Sequence, residues 1–174
     1  MSMQFKIGDF VIYGVYGRCE ITGIEIKTLN QKEQSFYELR PVVESQSDSK
    51  FLIPVTKAVE NGLRQEIDVE EVDGILEILV SPEYFIDMRM PWIDKEKEIE
   101  RMIRYQGATG LAKSVRHLFM YHQLTAFPEP AATKVYKKIF KVLAREIAQV
   151  LNKTLKETEI LMTKALSTKI KKTQ

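Results

Sequence analysis

A chain of 174 residues is long enough for one medium domain or two small ones, and 44% hydrophobic with 29% charged residues is the balance of a soluble globular protein. A formal net charge of +2 is too small by itself to announce nucleic acid, no apolar run reaches the length of a membrane span, and "MSMQFKIGDF" lacks a signal-peptide core. The single cysteine, Cys19, excludes an internal disulfide and a CxxC metal site, in keeping with a reducing cytoplasmic setting.

Up to about residue 64 the chain reads as strands. "FVIY" and "RCEITGI" are short and rich in β-branched and aromatic residues. In the second, Cys19, Ile21 and Gly23 alternate with Arg18, Glu20 and Thr22, the period of a half-buried strand. Gly8-Asp9 and the pair Gly14/Gly17 read as turns. "SFYELRPVV" and "SKFLIPV" follow as strands on either side of the polar turn "ESQSD". Pro41 and Pro54 each lack a ladder donor, which assigns them to strand ends or an edge. Five short strands with tight turns bury most when rolled into a small barrel.

After residue 64 the period becomes helical. "DVEEVDGILEILV" repeats Val69, Val72, Ile75, Leu76 and Leu79 behind Asp68 as N-cap. "DKEKEIERMIRYQ" carries Ile99, Met102 and Ile103 and ends near Gly107; "LAKSVRHLFMYHQL" carries Leu111, Val115, Leu118 and Phe119. "ATKVYKKIFKVLAREIAQVL" places Val135, Ile139, Val142, Leu143, Ile147 and Val150 inward, and "TLKETEILMTKAL" precedes the Lys-rich tail "STKIKKTQ". The layout is α+β: a β module over residues 1–64 and an all-α bundle over 65–174.

Charge is unevenly distributed. Residues 66–100 hold twelve acids and three bases (net −9), whereas residues 101–145 hold nine bases and one acid (net +8). Such a segment either presents a basic face or neutralises itself across a helix interface. Lys134, Lys137, Lys138, Lys141 and Arg145 recur at three and four, which stacks them opposite the apolar stripe of their helix. That row is a solvated face or a track for phosphates.

No catalytic centre is legible. His117 and His122, five apart, diverge on a helix and make a poor metal pair. Phosphate-loop, nucleophile-elbow and dinucleotide fingerprints are missing, Cys19 sits in a strand pattern as a small core residue, and adjacent Glu70 and Glu71 diverge. The reading is a binding protein without catalytic residue, metal or cofactor. The only tryptophan, Trp92, opens a helix and runs straight into "DKEKE". It is either a staple at the helix mouth or an apolar wedge aimed at a minor groove.

The order of motifs narrows this. "FKIGDFVIYGVYGRCEITGIE", "YELRP", "FLIPV", "GLR", "VEEVDGILEIL" and the tryptophan-led helix resemble the CarD/CdnL family of bacterial RNA polymerase-binding regulators, over residues 3–166. The resemblance implies a small Tudor-like (SH3-like) β barrel followed by a helical bundle. It implies that the barrel docks on the RNA polymerase β subunit by strand addition, with Lys27, Leu29, Phe51, Leu52 and Ile53 as contacts. It implies that the helical domain reaches promoter DNA at the upstream edge of the bubble through Trp92, Lys95, Lys97, Arg116, Lys134 and Lys138. Leu52 and Asp94 stand where an arginine is common, Glu96, Glu98 and Glu100 add negative charge, Gln106-Gly107 replaces an acidic cap, and the "FPEP" loop is one residue longer than usual. The alternative is a paralogue that binds polymerase or another protein without touching DNA.

Overall fold

The computed structural model describes residues 4–43 and 49–168. The turn expected at "ESQSD" and the tail from residue 169 lie outside the described residues. The chain divides into two compact units, Met1–Glu66 and Ile67–Gln174.

The first unit is an antiparallel sheet of β1 (Phe10–Tyr13), β2 (Arg18–Leu29), β3 (Lys32–Pro41), β4 (Phe51–Pro54) and β5 (Leu63–Arg64), in the order β4-β3-β2-β1-β5. Val11, Cys19, Ile21, Tyr37, Leu39, Ile53 and Leu63, drawn from all five strands, share one core with Phe5 and Ala58. Both edge strands feed that core, so the sheet curls around it as a small barrel with β4 and β5 as its edges. Each fully buried Ile or Leu contributes roughly 1.5–3 kcal/mol, which is why alternation decides the fold of so small a unit. Pro41 ends β3 and Pro54 ends the edge strand β4, where a missing N–H costs least. Cys19 is fully buried, and burial pushes its thiol up to about 11, so it is a packing residue.

One departure from the expected alternation matters for the outer surface. Ile21 opposes Leu39 but Gly23 opposes Glu38, so Thr22 is the extra residue of a β-bulge. Gly23 therefore turns outward and Ile24 takes the inward place beside the core. Past the bulge β2 and β3 run on to a two-residue hairpin turn in which Asn30 and Gln31 both have positive φ (50° and 63°).

The second unit holds α1 (Val69–Val80), α2 (Trp92–Leu124), α3 (Pro130–Leu151) and α4 (Leu155–Ser167). α1 starts on a capping box: the Glu71 carboxylate accepts the Asp68 N–H at 2.8 Å. α4 repeats the device with Thr154 and Glu157. Pro130 sits at the first turn of α3, where it removes no helical hydrogen bond. Its buried stripe is Ala132, Ile139, Val142–Ala144 and Glu146–Ala148.

The two helices expected between residues 94 and 124 are present as the two arms of α2, which meet at a break. Gly107 has φ 59° and ψ −133°, a conformation open to glycine and strained for other residues. Three residues on, a Cβ at Gly110 would lie 2.0 Å from the Met102 carbonyl oxygen, so that position also accepts no side chain. The two arms fold back on each other: Gly110 meets Met102 near the corner, and the Lys95 ammonium stands 4.1 Å from the Tyr121 ring centre farther out.

Candidate docking faces of the two units

Directly opposed residues of antiparallel strands send their side chains to the same face. Tyr37 with Ile53 and Leu39 with Phe51 make the inner face. Glu25 with Phe36, Lys27 with Gln34, Leu29 with Lys32, Phe36 with Pro54 and Glu38 with Leu52 make the outer one. Lys27, Leu29 and Leu52 therefore share the outer face, with Phe36 and Pro54 flanking Leu52. Leu29 is half exposed; Phe36, Leu52 and Pro54 are half-buried.

Two of the five expected contacts turn the other way. Ile53 is 3% exposed and is core, and the Phe51 ring packs on Tyr16 (4.5 Å between centroids) and Tyr13 (5.5 Å) at the inner rim. Their side chains face inward because β4 alternates and only every second residue points out. Phe36 and Pro54 take their place. The sequence signal for them was the strand register, which the bulge at Thr22 conceals.

Charge on the outer face is paired. The Lys50 ammonium donates to Glu25 at 2.7 Å and to Glu38 at 2.8 Å, and the Thr22 hydroxyl donates to Glu38 at 2.8 Å. These bonds, Lys50's first, hold the Glu38 carboxyl down to about 2. Lys27 lies 3.8 Å from Glu25, and Arg40 lies 3.3 Å from Glu38. Both acids are balanced, which leaves the apolar row Leu29, Phe36, Leu52 and Pro54 without strong net charge beside the open edge of β4. An edge strand next to such a row is the geometry for strand addition by a partner.

In the helical unit, two of the six expected DNA contacts are internal. Lys95 is 1% exposed; its ammonium donates to the Met88 carbonyl at 2.8 Å and covers the Tyr121 ring. Burial pushes its pKa down, with Asp87 acting in the opposite sense. Arg116 is 5% exposed and donates through Nε to the Ser81 carbonyl at 2.8 Å and through Nη1 to the Leu166 carbonyl at 2.9 Å. Ser81 closes α1 and Leu166 lies in the last turn of α4, so this guanidinium caps two helix C-termini whose carbonyls lack helical donors. Both side chains thus point into the unit and bind its own carbonyls.

The histidines are also internal. His117 is 1% exposed with neither ring nitrogen hydrogen-bonded. Burial first, and the nearby Lys95 charge second, push it down to about 4, so it is neutral near pH 7. The ring nitrogens of His122 lie 2.6 Å from the Leu118 carbonyl and 2.9 Å from the Thr133 hydroxyl, tying α2 to α3.

Four of the six keep some access to solvent. Trp92, the first residue of α2, is half-buried, and Lys97, Lys134 and Lys138 are exposed. Lys137, Lys141 and Arg145 are exposed as well, so the basic row lines the outer side of α3. Around Trp92 the acids stay: Asp94 and Glu100 are exposed, Glu96 and Glu98 half-buried, and Glu98 accepts from Arg101 at 3.0 Å. Among the described residues no helix is long and apolar enough to cross a membrane.

The family model for the CarD-like/TRCF RID domain matches residues 5–65, which is the sheet unit. The Bacillus subtilis (strain 168) protein "Putative transcription factor YdeB" is 28% identical over 94 residues, 54% of this chain and 58% of that protein. The chain thus covers somewhat over half the length of that relative. The sheet unit matches the CarD-like/TRCF RID domain, and the chain is similar over about half its length to that Bacillus subtilis protein.

Proposed function

We propose that this protein regulates bacterial transcription by docking its sheet unit on the RNA polymerase β subunit and steadying the open promoter complex with its helical unit. The coarser part is supported by the match of the sheet unit to the CarD-like/TRCF RID domain and by the similarity to a protein named a putative transcription factor. The observation behind the docking mode is the alignment of Lys27, Leu29 and Leu52 on one outer face beside the unpaired edge of β4. A strand of the β subunit added to β4 gains backbone hydrogen bonds, and the Leu29–Phe36–Leu52–Pro54 row supplies apolar specificity. In the helical unit, Trp92 is the wedge at the upstream edge of the bubble, and Lys97, Lys134 and Lys138 contact phosphates without reading bases. Free affinity for DNA is weak and salt-sensitive on this reading, because tethering to polymerase raises the local concentration of the helical unit.

The test is retention of purified bacterial RNA polymerase on the immobilised protein. Wild type retains polymerase, and Leu29→Glu and Leu52→Glu lose it while their circular dichroism stays native. Retention by both variants would remove the outer face from the account. A second reading, a polymerase-binding paralogue without DNA contact, is favoured by the inward Lys95 and Arg116 and by the acids next to Trp92. It predicts polymerase binding with no change in open-complex lifetime.

A further inference from the structure

The most exposed large apolar side chain among the described residues is Phe127, at 93%. It sits in the short loop between α2 and α3, flanked by Pro128 and closed by Pro130. The loop is held: the Tyr121 carbonyl accepts the Thr125 N–H at 3.0 Å, the Tyr121 hydroxyl lies 3.4 Å from the Glu129 N–H that donates to it, and His122 bonds Thr133 across it. An aromatic ring on a held loop loses little entropy on binding, yet in the free protein its apolar face is in water.

Its place in the fold gives it a role. The arms of α2 fold back so that Lys95 meets Tyr121. One turn outward from each of these lie Trp92 on the first arm and Leu124, 66% exposed, on the second. Phe127 lies three residues after Leu124, and Lys134, the first of the basic row, stands in the second turn of α3. One end of the helical unit thus gathers Trp92, Leu124 and Phe127, with cations running away from it along α3 and Glu129 as an opposing charge in the loop. An exposed ring at the head of a lysine row is the chemistry of a stacking platform joined to a phosphate track.

We infer that Phe127 is a second apolar contact to promoter DNA, stacking on an unpaired or loosened base at the fork while Trp92 wedges the adjacent step. This rests on the DNA-contact reading given above. The test is the lifetime of open complexes of bacterial RNA polymerase holoenzyme on a linear promoter, with the protein saturating. Phe127→Ala shortens the lifetime by about fivefold, the lower end of what removing one base-stacking aromatic costs. Phe127→Trp retains it, and neither variant changes circular dichroism or polymerase retention. A Phe127→Ala lifetime equal to wild type, with Trp92→Ala still shortening it, would overturn this inference and leave the proposed function standing. Loss of polymerase retention by Phe127→Ala would assign the ring to a protein surface and overturn it too. Equal lifetimes for wild type and both alanine variants would remove the DNA reading together with the inference.

Discussion

The two units hold their candidate contacts by different rules. In the sheet unit a side chain's direction follows from strand parity, so Lys27, Leu29 and Leu52 fall on one face as a set, and Phe51 and Ile53 fall on the other as a set. In the helical unit the direction of a long cation is settled one residue at a time by which carbonyls lie within reach. Lys95 and Arg116 point into the unit, and Lys97 and Lys134 point out. A basic residue on a strand is therefore read from register, and one on a packed helix from the unsatisfied helix ends around it.

The sharpest way to break the helical side of this comparison is at the corner of α2. Gly110→Ala puts a methyl group 2.0 Å from the Met102 carbonyl oxygen. A loss of about 3 kcal/mol or more is expected, because backbone cannot yield as a side-chain tip does. Chemical denaturation followed by far-UV circular dichroism measures it.

Next comes acid. His117 is held near pKa 4 in the folded chain and returns to about 6.5 on unfolding, so the unfolded state binds more protons between those values. Stability is fully present above about pH 6.5 and falls by about 3 kcal/mol as pH drops toward 4. His117→Phe flattens that window in denaturant titrations at several pH values. An unchanged slope would show that the ring is not the group responsible.

Arg116→Ala follows, at about 2 kcal/mol, since it takes this donor from the part-buried Ser81 carbonyl and the buried Leu166 carbonyl. Lys134→Ala is smallest in stability, within about 0.5 kcal/mol, because its side chain is exposed. Its signature is in DNA affinity, where the log–log salt slope drops by about one phosphate contact. Arg116→Ala weakens binding only as far as it unfolds the unit. Together the two variants separate a residue that supports the surface from one that belongs to it.

These contrasts also mark how much was legible in the sequence. The change of period near residue 64, four of the five strands of the first unit and the helices of the second were readable from apolar spacing, while the two-residue β5 was too short to carry a pattern. The break near Gly107 was readable as a helix end, but the folding back of one arm on the other depends on Gly110 meeting Met102, a contact no local pattern encodes. The outer face was obscured by one extra residue, Thr22, which reverses parity for the rest of β2. Lys95 did carry a signal, since it lies four residues before Ile99 on the buried stripe, where a lysine must reach a carbonyl or leave the stripe. Arg116 sits on the same helix face as exposed Thr109 and half-buried Lys113, so the spacing gave no sign that it is buried. Phe127 lacked any periodicity, being a loop aromatic just before Pro128, and its meaning came from which helix ends lie beside it.

The central claim is that the helical unit acts on the promoter while the sheet unit holds polymerase. Open-complex lifetime tests it most directly, measured for bacterial RNA polymerase with wild-type protein and with Trp92→Ala at equal polymerase occupancy. The account predicts a longer lifetime with wild type than with polymerase alone, and a return toward the polymerase-alone value with Trp92→Ala. Equal lifetimes in all three samples, with the protein demonstrably bound, would contradict it and leave a polymerase-binding protein that does not touch DNA.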